Sequence, residues 1–141
     1  MENLHKKKVI VVEDHEATRK SLIEMFKDEY DVDSAKDGSE GLFKIMNTKY
    51  DLVIADNNMP RLNGVDMVEF YDEKNVFLNN DTKFIMITAN CSGDEKKRGK
   101  KAGVNYWMMK PYNILKLYKI CMKILDPHSS KFLWNLISYL I

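Results

Sequence analysis

The chain has 141 residues, of which 45% are hydrophobic and 30% charged, a length that suits one domain with a real core. Its formal net charge of +1 gives no global argument for nucleic acid or a membrane surface as partner. Cys91 and Cys121 stand in no metal-ligand spacing and cannot form a disulfide framework, so reduced thiols in a cytoplasmic protein are expected.

Lys6, Lys7 and Lys8 precede an apolar run, Val9 to Val12, that is too short for a signal peptide or a membrane span. Lys8-Val9-Ile10-Val11-Val12 reads as a central parallel strand ending on Glu13-Asp14. Ala17, Leu22, Ile23 and Phe26 then recur at helical spacing between His15 and Tyr30, with Asp14 placed to act as N-cap. A weak strand, Val32 to Ala35, precedes the turn dipeptide Asp37-Gly38. Ser39 with Glu40 opens a second helix carrying Leu42, Phe43, Ile45 and Met46. Leu52 to Ala55 is a buried strand that delivers Asp56 where it stops, and Pro60 and Gly64 turn the chain away.

Val65, Met67, Val68 and Phe70 predict a third helix to about Leu78, broken by Asn79-Asn80-Asp81. Phe84 to Ile87 is a fourth strand ending on Thr88-Ala89-Asn90. The polar segment Ser92 to Ala102 contains Gly93 and Gly99, each costing a helix interior about 1 kcal/mol relative to alanine, so this fourth helix is expected to be the weakest. Gly103 caps it. Tyr106 to Met109 forms a fifth strand ending on Lys110-Pro111, and Asn113 to Leu125 is a strongly periodic helix stopped by Asp126-Pro127. Five buried strands alternating with five helices predict an α/β fold with a doubly wound parallel sheet.

The strand ends carry the chemistry. In a sheet ordered 2-1-3-4-5, Glu13, Asp14, Asp56, Thr88 and Lys110 lie along one carboxyl edge, at the switch point between strands one and three. Three acids that converge repel one another unless a cation sits among them. A few hard oxygen ligands suit Mg²⁺ better than zinc. With a lysine and a hydroxyl beside them, they make a binding site for a phosphoryl group being passed to Asp56.

These signatures, Glu13-Asp14, Asp56-x-x-Met59-Pro60-x-x-x-Gly64, Thr88-Ala89 and Lys110-Pro111, resemble the receiver domain of two-component response regulators, whose fold is flavodoxin-like. Each alone is weak; all of them, in order and at strand ends, make a strong signal. The resemblance covers residues 6–126, leaving 127–141 as an apolar, helically spaced C-terminal extension.

It implies that Asp56 accepts a phosphoryl group from a sensor histidine kinase or phosphotransfer protein. Asp14 and Asp56 would ligate Mg²⁺ by side chain, Glu13 through water and Asn58 through its backbone carbonyl. Lys110 and Thr88 would contact the phosphoryl oxygens, a transfer in which positioning and charge neutralisation supply most of the catalysis. Thr88 and Trp107 would form the switch pair, with Trp107 standing where Tyr or Phe is usual. A ring packed against the last helix is the plain alternative for it. Asn57, Asn58 and Asn90 occupy positions that tune acyl-phosphate hydrolysis in receivers.

Lys96, Lys97, Arg98, Lys100 and Lys101 crowd the fourth helix, as a solvated face or as a surface for an acidic partner. No helix-turn-helix pattern follows Leu125, and the remaining residues are too few for a DNA-binding domain. The expectation is therefore a stand-alone cytoplasmic receiver that signals by protein–protein contact rather than a turnover enzyme. A homodimer through the helix 4/helix 5 face or the tail is a further expectation. A phosphorelay intermediate and an aspartyl-phosphate phosphatase are the alternatives. The second usually wants an acid where Asn58 stands.

Overall fold

A computed structural model of the protein describes residues 6–74, 76–77, 80–90 and 92–127. Among them, strands and helices alternate: β1 (Lys8–Val12), α1 (Glu16–Phe26), β2 (Asp31–Ala35), α2 (Gly38–Asn47), β3 (Leu52–Asp56), α3 (Gly64–Lys74), β4 (Lys83–Thr88), α4 (Gly93–Ala102), β5 (Tyr106–Met109) and α5 (Ile114–Leu125). All strand pairs are parallel and the sheet order is β2-β1-β3-β4-β5, as the sequence predicts.

The central strands are runs of apolar residues because a parallel sheet is covered on both faces. Ile10, Val12, Val53, Ala55, Phe84 and Met86 join one core cluster with Ile45 of α2 and Val65, Met67, Val68 and Tyr71 of α3. Val9, Val11, Leu52, Ile54, Ile85 and Ile87 are equally buried and, by the two-residue period of a strand, point to the opposite face. Edge strand β2 is mostly polar and is held by specific bonds: Tyr50 Oη donates to Asp33 Oδ2 at 2.7 Å and Lys44 Nζ to Asp33 Oδ1 at 3.1 Å. Burial alone would raise the Asp33 carboxyl, but donation from Tyr50, the Ser34 N–H and Lys44 holds it below its ordinary value.

The chain divides between Lys110 and Pro111 into two compact units. In the second, Asn113 Oδ1 caps α5 by accepting from the Leu115 and Lys116 N–H groups, and Leu117, Cys121, Met122 and Leu125 are buried. Burial pushes the Cys121 thiol up. No described helix is long and apolar enough to cross a membrane.

Several boundaries differ from expectation. His15, not Asp14, caps α1: its backbone is extended and its Nδ1 accepts from the Thr18 N–H at 3.4 Å. Asp14 stands one residue too early, and its carboxylate joins an acidic cluster instead. α1 ends at Phe26 rather than Tyr30, with the Tyr30 ring folded back to 6.0 Å from that of Phe26. α2 starts at Gly38, because Asp37 Oδ1 accepts from Glu40 N–H at 2.8 Å and displaces Ser39 as the cap. α3 ends at Lys74. Tyr71 rather than Phe70 faces the core, and Phe43 of α2 is 69% exposed. Leu78, Asn79, Cys91 and the apolar extension from residue 128, with the self-association expected through it, lie outside the described residues.

α4 ends as expected on Gly103, at φ 119°, and Ser92 caps its start. Gly99 has a reason the sequence hides. A Cβ there would lie 2.6 Å from Cζ2 of Trp107, so the missing side chain makes room for the indole. Gly99→Ala is therefore expected to cost about 1–3 kcal/mol as overpacking, despite alanine's better helix propensity. Trp107→Phe in the same background should recover part of the loss. Denaturant unfolding of the single and double variants measures this; a stabilised Gly99→Ala would show that the ring does not pack there.

Candidate functional site

The level register of the sheet brings the strand ends together. Asp56, the last residue of β3, pairs opposite Ile87 of β4 and is 3% exposed. Immediately after β1, the Glu13 N–H is fixed to the Ala35 carbonyl at 3.0 Å, and Glu13 is 4% exposed. One carboxylate oxygen from each of Glu13, Asp14 and Asp56 lies within 4.8 Å of the others. Such an all-oxygen set fits a hard divalent cation.

Lys110 follows β5, with its N–H on the Thr88 carbonyl at 2.8 Å, and its Nζ is 2.9 Å from Asp56 Oδ1. The same Oδ1 accepts from the Asn58 N–H at 2.8 Å. Thr88 is buried; its hydroxyl donates to the Asn90 carbonyl and lies 3.4 Å from Asn58 Oδ1. That amide oxygen also accepts from the Ala89 N–H at 2.6 Å. Glu13, Asp14, Asp56, Asn58, Thr88 and Lys110 thus meet along one edge, as the sequence places them. Trp107 does not join them. It pairs with Met86 two residues before Thr88, is half-buried, and packs on Gly99 of α4.

The acidic cluster is electrostatically loaded. Burial is the main force pushing the Glu13 carboxyl up, and the charge of Asp56 and hydrogen bonds with Asp56 and Asp14 add to it. The His15 N–H, 3.0 Å from Glu13 Oε2, pulls the other way. The balance sets Glu13 at about 7. The cluster therefore retains a proton near neutrality, which a bound cation would displace.

The fold and much of the sequence are shared with known proteins. The family model described as response regulator receiver domain matches residues 9–121. The chain belongs to this family. It is 30% identical over 132 residues to the transcriptional regulatory protein CiaR of Streptococcus pneumoniae, covering 94% of this chain and 57% of CiaR. The chain thus spans about half the length of the curated relatives it matches. Among solved structures, the chemotaxis protein CheY4 of Vibrio cholerae superimposes with a TM-score of 0.74 at 30% identity, covering 85% of this chain and 99% of that one. The response regulator TrrA of Thermotoga maritima, in complex with Mg²⁺ and beryllium fluoride, gives 0.70 at 31% identity, covering 84% and 99%. As a receiver domain of two-component signalling, the chain has a site consistent with the role of phosphoacceptor.

Beside Asp56 runs a polar bridge that sequence reasoning missed. Asn57, 3% exposed, accepts the Val65 N–H at 2.9 Å and donates from Nδ2 to Glu95 Oε1 at 3.0 Å. Asn63 Nδ2 reaches Glu95 Oε2 at 3.2 Å, while its Oδ1 accepts the Asp66 N–H at 2.8 Å. One carboxylate in the first turn of α4 thereby holds both ends of the loop that follows Asp56. Ser92 Oγ accepts the Glu95 N–H at 3.1 Å, while the Glu95 carboxylate serves the two asparagines. Arg98 leaves the basic run as well. It turns back to Asp66 at 2.6 Å and to Glu69 on α3, while Lys96, Lys97, Lys100 and Lys101 stay exposed.

Proposed function

We propose that Asp56 takes the phosphoryl group of a phosphohistidine, carried by a sensor histidine kinase or a phosphotransfer protein, in the cytoplasm. A carboxylate oxygen of Asp56 attacks phosphorus, the P–N bond breaks, and the imidazole leaves and takes up a proton. An acyl phosphate remains on Asp56. The observation that carries this reading is the Lys110 ammonium 2.9 Å from a nearly fully buried carboxylate flanked by two further acids.

Glu13, Asp14 and Asp56 would hold Mg²⁺, with the Asn58 backbone carbonyl as a further ligand and Glu13 acting through water. Bound there, the ion offsets the carboxylate charge and that of the incoming phosphoryl oxygens. Its fit is supported by the all-carboxylate donor set and by the proton that Glu13 holds without it. Lys110 balances charge on the transferring group, and Thr88 donates to one of its oxygens.

The domain acts in this reading as a self-phosphorylating acceptor rather than a turnover enzyme. Its readout runs through Thr88 and Trp107 to α4, whose four exposed lysines suit an acidic effector surface. Incubation with Mg²⁺ and acetyl phosphate should add the mass of one phosphoryl group, and Asp56→Asn should add none. An undiminished adduct on Asp56→Asn would sink the assignment.

A further inference from the structure

Two donors at the end of β4, the Ala89 N–H and the Thr88 hydroxyl, are already satisfied internally in the resting chain. The Ala89 N–H, on an exposed residue that could bond water, is instead taken at 2.6 Å by Asn58 Oδ1, a partner 31 positions away in sequence. Of the two ends of the Asn58 amide only the oxygen can accept an N–H, so Nδ2 points away from Ala89. The Thr88 hydroxyl has one proton and gives it to the Asn90 carbonyl, leaving Asn58 Oδ1 at 3.4 Å as a weak second acceptor. The N–H of Asn58 meanwhile holds Asp56 Oδ1 at 2.8 Å. Residue 58 is thus anchored to the acceptor carboxylate by its backbone, and its side-chain oxygen rests on the donors just beyond.

We propose that Asn58 is a built-in competitor of the phosphoryl group, its Oδ1 standing in the resting chain where a phosphoryl oxygen on Asp56 would take the Ala89 N–H. This inference rests on the phosphoacceptor reading of Asp56. A tetrahedral group attached to Asp56 presents its oxygens beyond the carboxylate, toward the end of the adjacent strand β4. To bond the Ala89 N–H, one of those oxygens must evict the amide oxygen of Asn58. The exchange favours the phosphoryl group, because a charge-assisted bond replaces a neutral one. Every phosphorylation nevertheless gives up the bond that Asn58 made. Asn58 therefore acts as a positioning residue that lowers the phosphoryl affinity of the site and holds the start of the β4–α4 connection in the resting arrangement.

The test is beryllofluoride binding in the presence of Mg²⁺, a non-covalent stand-in for the phosphoryl group, on the full chain. Asn58→Ala removes the competing acceptor, and its affinity should rise about fivefold, the worth of one net hydrogen bond. Asn58→Asp keeps a stronger, charged acceptor there and should bind more weakly than the parent. Asn58→Ser, too short to reach Ala89, replaces the alanine variant where that one does not fold. A bracing role alone predicts the reverse, with the alanine variant weakest.

The amide resonance of Ala89 gives an independent readout. In the resting protein it should move on Asn58→Ala, and with beryllofluoride bound the two proteins should converge. Parent protein that binds beryllofluoride while Asn58→Ala binds it equally or less well overturns this inference alone. So does an Ala89 resonance unmoved by the substitution. Parent protein that does not bind it, or binding undiminished by Asp56→Asn, overturns the acceptor reading and this inference with it.

Discussion

Replacement of Lys110 by alanine is expected to slow phosphoryl uptake on Asp56 by about 100-fold or more, the usual effect of removing a preorganised donor from a developing negative charge. Lys110 Nζ is 2.9 Å from Asp56 Oδ1, and the carboxylate is 3% exposed while the lysine side chain is 31% exposed. The carboxylate is therefore largely shut off from solvent, and the lysine brings the positive charge to it from the rim. Transfer places further negative charge on oxygens beside that ammonium, so its attraction grows as the reaction proceeds. Glu13 and Asp14 oppose that charge, which leaves no spare positive group among the described contacts of Asp56 to replace Lys110. Lys110→Arg should recover only part of the rate, because a planar guanidinium cannot occupy the place of a compact ammonium. A mass-spectrometric time course with acetyl phosphate measures this. Uptake by Lys110→Ala within threefold of the parent would remove Lys110 from the transfer.

The legible part of this molecule is the set of strand ends. Val9–Val12 and Leu52–Ala55 are short apolar runs bounded by charge, so their type and their stopping points are written in composition. Once those runs lie parallel in order, Glu13, Asp14, Asp56, Thr88 and Lys110 must share one edge, and the register puts them there. What stays hidden depends on contacts between distant segments. Asn57 and Glu95 are 38 positions apart, Asn58 and Ala89 31, and no local period joins them.

Gly99 reads as a weak point in a helix until the Trp107 ring is seen lying against it. Arg98 reads as one more basic residue until Asp66 and Glu69 of α3 are found around it. The cap of α1 failed for a smaller reason. Asp14 and His15 are adjacent and both can accept an N–H, and the choice fell to His15 because Asp14 belongs to the acidic cluster. Chemistry placed by secondary structure was readable; chemistry placed by packing was not.

That cluster should make the metal-free protein less stable as pH rises through neutrality, the opposite of the usual carboxylate behaviour. Glu13 titrates near 4.5 when free and at about 7 in the fold, mainly because it is buried. Between those values the folded chain binds more protons than the unfolded one. Its contribution to stability is thus full below about pH 4.5 and is lost as pH rises through 7. A shift of this size corresponds to about 3 kcal/mol between pH 5 and pH 8. Glu13→Gln carries no such proton, so its stability should be flat over that range and should exceed the parent's at pH 8.

Mg²⁺ reverses the sign, since a cation held beside Glu13 favours its ionised form and so opposes the proton. Its affinity should weaken by up to about tenfold per pH unit below 7 for one displaced proton. Mg²⁺ should therefore raise the melting temperature of the parent far more at pH 8 than at pH 6. In Glu13→Gln the increment should be smaller and nearly independent of pH. Urea unfolding at pH 5 and 8, with and without Mg²⁺, reads all four corners. A metal-free parent whose stability is unchanged or greater at pH 8 would show that Glu13 is ionised at no cost. The acidic edge would then be a solvated surface rather than a cation site awaiting its charge.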